Sequence, residues 1–142
     1  MNVGLVVEIR NSIRNPSQVA GWVNASDAPV SFYQLPTGSN CTAGMVDRMH
    51  SAGVTVGIKM PGRNAACQMT TERLVAKHAA FVTEDRSLIT SQFMAAMNQN
   101  GIDVYARGAG GQTARGLLAM GVSRLLVNDP EVARRWSPAA SR

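Results

Sequence analysis

The residues of this 142-residue chain that could do chemistry sit where apolar runs end. Glu8-Ile9-Arg10 closes one run, Lys59-Met60-Pro61-Gly62-Arg63-Asn64 another, Glu84-Asp85-Arg86 a third, and Arg107-Gly108-Ala109-Gly110-Gly111-Gln112-Thr113-Ala114-Arg115 a fourth. A glycine-rich stretch between a strand and a helix is where backbone N–H groups receive anions. This one lacks the Lys-Ser/Thr of a P-loop and does not fit Gly-x-Gly-x-x-Gly, so it reads first as a flexible β-to-α loop. Lys59 and Arg63 read as two solvated charges on a turn. Glu84-Asp85 reads as negative charge at the start of a helix, where the helix dipole favours it, in preference to a cation site.

The nucleophilic and metal-ligating residue types do not cluster. His50 falls in the last turn of a helical pattern and His78 just before a strand, and both read as helix-end or surface residues. No Ser/His/Asp or Cys/His set is visible. Cys41 and Cys67 are far apart and form no Cys-x-x-Cys. They read as small buried residues, and no disulfide can be argued from the sequence.

The elements that position these residues are six short β-rich runs, at residues 3–9, 29–35, 54–60, 79–83, 102–106 and 124–128. Several are almost continuously apolar, as in Val3-Gly4-Leu5-Val6-Val7 and Leu125-Leu126-Val127, which is how a strand covered on both faces reads. Helical patterns lie between them. Asn40 or Thr42 is placed to cap a helix carrying Met45, Val46, Met49 and Ala52, stopped by Gly53. A second helix is expected over residues 87–100, a third over 113–120, and a short last one from Pro130 to about Trp136. Three segments repeat one logic: His50-Ser51-Ala52-Gly53-Val54, Asn98-Gln99-Asn100-Gly101-Ile102 and Ala119-Met120-Gly121-Val122. Each is a helix ending on glycine and followed at once by a buried strand. The fold class expected is α/β, a parallel sheet of about six strands with helices. A closed (β/α)₈ barrel needs about 250 residues, so the sheet is expected as an incomplete, TIM-like barrel. Residues 1–136 form a single domain in this reading, with 137–142 as a polar tail.

Composition narrows the function. The hydrophobic fraction is 45%, and the charged fraction of 16% is low for a globular surface. Part of that surface is therefore expected to be covered by another chain. The net charge is +5, with 14 basic and 9 acidic residues, but the arginines are scattered and aromatic residues make up only 5%. A nucleic-acid module concentrates both on one face, so nucleic acid is not an expected partner. No apolar run approaches the ~20 residues of a membrane span, and Met1-Asn2-Val3-Gly4-Leu5-Val6-Val7-Glu8 lacks the basic start of a signal peptide. A virion or cytoplasmic location is expected.

The segment from Phe81-Val82-Thr83-Glu84-Asp85 through Asn98-Gln99-Asn100-Gly101-Ile102-Asp103-Val104-Tyr105-Ala106-Arg107 to Gly121-Val122-Ser123 and Val127-Asn128-Asp129-Pro130 resembles the closing part of the glycerophosphodiester phosphodiesterase family. That family ends with a helix, a Gly-x-x-Val strand, a helix, a Gly-Val-Asp turn and a strand ending in Thr-Asp-x-Pro. Glu8-Ile9-Arg10 is similar to its Glu-x-Lys strand. The resemblance implies a metal-ligating role for Glu8, a phosphate-facing role for Arg10, and Arg107 and Arg115 as phosphate candidates at the C-terminal rim. It also implies departures. The family's His-Arg-Gly segment, its Glu-x-Asp metal pair and its second histidine precede the Glu-x-Lys strand, ahead of Met1. Its Trp-Thr-Val-Asn-like segment is replaced by Tyr105-Ala106-Arg107-Gly108.

A metal-assisted phosphodiesterase needs several oxygen ligands and an acid/base pair. The expectation is therefore a non-catalytic structural domain, a degenerate phosphodiesterase-like barrel that associates with other protein chains, as a homo-oligomer or in a larger assembly, and needs no cofactor. A phage tail protein of a GC-rich host would suit the arginine- and alanine-rich composition. Two alternatives stand beside it. One is a glycerophosphodiester phosphodiesterase using Mg²⁺ or Ca²⁺ and completed by a partner chain. The other is a small phosphate-binding module.

Overall fold

The computed structural model describes residues 5–9, 15–25, 30–36, 42–62, 67–108 and 111–127. The expected helix at Pro130 and the tail lie outside these, as do Arg10, Asn40 and Cys41. Six strands follow one another in the sheet in chain order: β1 (Leu5–Ile9), β2 (Val30–Gln34), β3 (Val56–Lys59), β4 (Phe81–Asp85), β5 (Asp103–Arg107) and β6 (Arg124–Leu126). Every neighbouring pair is parallel. Each connection therefore carries a crossover: α1 (Pro16–Ala25), α2 (Gly44–Ser51), α3 (Thr71–Ala76), α4 (Ser91–Gln99) and α5 (Gly111–Ala119). A sequential, all-parallel β/α order curls the sheet into an incomplete barrel, as the sequence led us to expect.

The core lies between the sheet and the helices. Val56, Ile58, Val82, Val104 and Ala106 of the strands pack with Val46 and Met49 of α2, Leu74 of α3, Met94 and Met97 of α4 and Leu117 of α5. Fully burying one such side chain is worth about 1.5–3 kcal/mol, enough to fix which strand face turns toward the helices. The alternate residues face the other way. Phe81 and Tyr105 are stacked at 4.1 Å on that inner face, and Arg124 lies over Tyr105 at 5.6 Å.

The glycine repeat has a structural cause. After α2, α4 and α5 the same pair of backbone bonds closes the helix: Gly53 to His50 and Val54 to Met49, Gly101 to Asn98 and Ile102 to Met97, Gly121 to Leu118 and Val122 to Leu117. The glycines take φ of 80°, 67° and 102°, the left-handed turn of a Schellman motif. A fourth copy ends α3, where His78 bonds to Val75 and Ala79 to Leu74. Here a histidine holds φ 58°, and its ring stacks on His50 at 4.4 Å.

Two expectations are corrected, and one open point is answered. The helix expected over 87–100 is split. Asp85 caps a short 3-10 turn at Arg86–Leu88, and α4 starts afresh behind Thr90, whose hydroxyl accepts from Phe93 N–H at 3.1 Å. α2 has Ala43 at its N-cap with no side-chain bond of its own; instead Gln34 Oε1 on β2 accepts from Met45 N–H at 3.1 Å. Thr42, expected as a cap, lies outside the helix. Cys67 is buried, as expected, and disulfide-bonded, a state the sequence left open.

Candidate functional site

Charged and polar side chains gather on the inner face and at the C-terminal ends of the strands. Register places them. Lys59 of β3 is paired with Thr83 of β4, and Thr83 with Tyr105 of β5. Arg107 stands two residues beyond Tyr105 and faces the same way.

Two contacts reach across an intervening strand, which the curl of the sheet permits. Lys59 Nζ lies 3.7 Å from Glu8 Oε1, spanning β2. Arg107 Nη2 donates to the Met60 carbonyl at 3.2 Å, spanning β4, and lies 3.8 Å from Glu84 Oε1. Both ion pairs are longer than a hydrogen bond, so neither cation is saturated by its carboxylate. The Thr83 hydroxyl and Arg107 Nε are buried without a hydrogen-bond partner. Buried polar groups are nearly always paired, and Arg107 lies two residues beyond Tyr105, the register partner of Thr83.

The rim carboxylates differ. Glu84 is only 4% exposed. Burial pushes its carboxyl above the ordinary glutamate range, against the pull of the Asp85 N–H, which donates to Oε1 at 2.8 Å, and of the Arg107 charge. Asp85 is held below the usual aspartate range by the Ser87 hydroxyl and N–H, which donate to it at 2.6 and 3.0 Å. The capping role expected for this acidic pair belongs to Asp85.

The residues singled out from sequence are dispersed by the fold. Glu8 is ion-paired with Lys59, and Arg107 lies at the rim. Arg115 is exposed on α5 with no hydrogen bond or ion pair among the described residues. Arg10 lies outside them. A divalent cation takes about six oxygen ligands. Among the described residues no three His, Cys, Asp or Glu side chains gather to hold one. Among the described residues the ion-pair partner given for Glu8 is the Lys59 ammonium, which does not favour a cation there. Lys59 was read from sequence as a solvated turn charge, and Thr83 was not singled out. Lys59 had the signal of a lone charge ending an apolar run; Thr83 had none.

Neither a family model nor a curated protein sequence matches the chain. Solved structures do. A glycerophosphoryl diester phosphodiesterase of Silicibacter pomeroyi superposes with a TM-score of 0.63 at 11% identity, covering 93% of this chain and 49% of its own. A glycerophosphodiester phosphodiesterase of Galdieria sulphuraria gives 0.63 at 11%, covering 94% and 57%. The EAL domain of Mycobacterium smegmatis DcpA gives 0.60 at 16%, covering 87% and 65%. The fold is half of a (β/α) barrel. At these identities the likeness establishes the fold alone, and this half-barrel spans about half to two-thirds of the length of those chains. Among the described residues no helix is long and apolar enough to cross a membrane.

Proposed function

We propose that this half-barrel is a non-catalytic domain that works by association, joining its sheet to a second copy of itself within a larger assembly. The open sheet carries this reading: β1 and β6 each have a single strand neighbour among the described residues. An unpaired strand edge in a folded protein is a template for another chain. Val7 on β1 and Leu118 on the helix before β6, 42% and 36% exposed, place apolar surface toward the two ends of the sheet. The charged fraction of 16% suits a partly covered surface. A phage tail, expected from resemblance and composition, is one such assembly.

Light scattering on the native chain tests this. The expected particle is a dimer or larger whose mass falls in Val7→Lys. A monomer at every concentration would overturn the reading, and so would metal-dependent hydrolysis of a glycerophosphocholine-type diester that is lost in Glu8→Ala.

A second reading, an anion-binding module, is favoured by the unsaturated Lys59 and Arg107 beside an unpartnered hydroxyl. Two of the solved structures that share the fold are described as phosphodiesterases, a class named for phosphate esters, which supports an oxyanion as the ligand.

A further inference from the structure

We infer that Lys59, Thr83 and Arg107 form an oxyanion site on the inner face of the half-barrel, built to take one phosphate or carboxylate group. It deepens the anion-binding reading and rests on it. Of Arg10, Arg107 and Arg115, the positions to which the resemblance points, the site uses Arg107 alone, and it adds Lys59 and Thr83.

Three observations converge. First, Thr83 is 0% exposed and its hydroxyl has no partner. Leaving such a group unsatisfied costs about 1–3 kcal/mol, a cost that a bound acceptor removes. Second, Arg107 is held in place by the Met60 carbonyl at 3.2 Å through one terminal nitrogen, while its Nε–H is buried and unused. A guanidinium fixed at one end, with a donor left unmade beside it, is preorganised for an oxygen ligand. Third, Lys59 is the strand neighbour of Thr83 and contacts Glu8 only at 3.7 Å, so its ammonium has donors to spare.

The three groups come from adjacent strands and share one face, with the stacked Phe81 and Tyr105 rings forming its apolar floor. Lys59 and Arg107 keep side-chain exposures of 27% and 28%. An oxyanion arriving from the rim meets these partly exposed cations first and the hydroxyl last. Glu8 lies beside Lys59 and Asp85 is the register partner of Arg107, so the selectivity rests on the unsatisfied hydroxyl and N–H donors and not on net charge.

The test is thermal melting of the full chain titrated with sodium phosphate or sodium acetate, against sodium chloride at equal ionic strength. A saturable rise in Tm with either anion is expected. Phosphate alone would assign a tetrahedral oxyanion, acetate alone a carboxylate. Thr83→Val removes the unpartnered hydroxyl at constant shape. It is expected to melt no lower than the native chain without anion, yet to lose about tenfold or more in apparent affinity. Lys59→Met should lose a comparable factor.

No saturable response in the native chain would overturn both this site and the anion-binding reading. A response kept in Thr83→Val and Lys59→Met but lost in Arg115→Ala would overturn the site alone and move binding to the start of α5. A lower melting temperature of anion-free Thr83→Val would also overturn it, because the hydroxyl would then be satisfied in the folded chain.

Discussion

The Phe81 ring lies against the bare backbone of Gly57. A Cβ on Gly57 would meet ring atoms of Phe81 at 2.4 Å. The absent side chain on β3 is what lets the aromatic residue of β4 lie flat and stack on Tyr105 of β5. Gly57→Ala is therefore expected to destabilise the chain by about 1–3 kcal/mol, the usual cost of overpacking. Phe81→Leu in the same background should recover part of that loss. Urea melts of the two single variants and the double variant would show it as a coupling that additive, independent sites lack.

His78 occupies the position that glycine holds in the other three helix-ending turns. A left-handed conformation costs a non-glycine residue about 1 kcal/mol or more, and exposed ring stacking on His50 returns only about 0.5 kcal/mol. His78→Gly should raise the melting temperature by about 1–3 °C, on the scale set by a chain of this size. His78→Ala should lower it, since alanine keeps the strain and loses the stack.

Gln34 links the end of β2 to the start of α2 by accepting from Met45 N–H. Gln34→Ala leaves that first-turn donor without its acceptor and should cost about 1 kcal/mol. Gln34→Glu retains the acceptor and adds a negative charge where the helix dipole favours it, so its melting temperature should stay near that of the native chain.

Glu84 and Asp85 predict opposite pH limbs. Burial raises the Glu84 carboxyl in the folded chain, so the folded state holds that proton more tightly than the unfolded state. Its contribution is fully present below the ordinary glutamate range and is lost as pH rises through the raised value. Glu84→Gln, neutral throughout, should flatten this decline and leave stability at neutral pH no lower than native. Asp85 is lowered by its Ser87 hydrogen bonds, so its contribution is lost as pH falls below the ordinary aspartate range. Asp85→Asn should flatten that acid limb instead. A series of denaturant melts across pH separates the two.

Much of the fold is legible along the chain because its signals are local. A short β-rich run marks each of β1 to β6, and several of the runs are almost continuously apolar. Glycine stops mark the ends of α2, α4 and α5. The two helices missing from the sequence reading show where local signals fade. α3 has only the six residues Thr71–Ala76 and ends on His78 in place of glycine. α1 had a readable start in Asn15-Pro16, with Asn15 accepting from Gln18 N–H, but Gly21 interrupts its pattern.

The candidate site is legible only in part. Glu8 and Arg107 stand out as charges that end apolar runs. Lys59 offers the same signal but reads equally well as a solvated turn residue. The ion pair to Glu8 crosses an entire strand, and no spacing in the sequence encodes that distance.

By itself, then, the sequence determined the order of strands and helices, because hydrophobic period and glycine stops depend on neighbours a few residues away. Tertiary structure decided what those elements bring together. Register set Lys59 beside Thr83 and Thr83 beside Tyr105, with Arg107 two residues further along β5 on the same face, and burial raised the Glu84 carboxyl. The same packing left the Thr83 hydroxyl without a partner. Each of these depends on what lies on the adjacent strand, and that is settled only when the sheet curls and the helices close over its other face.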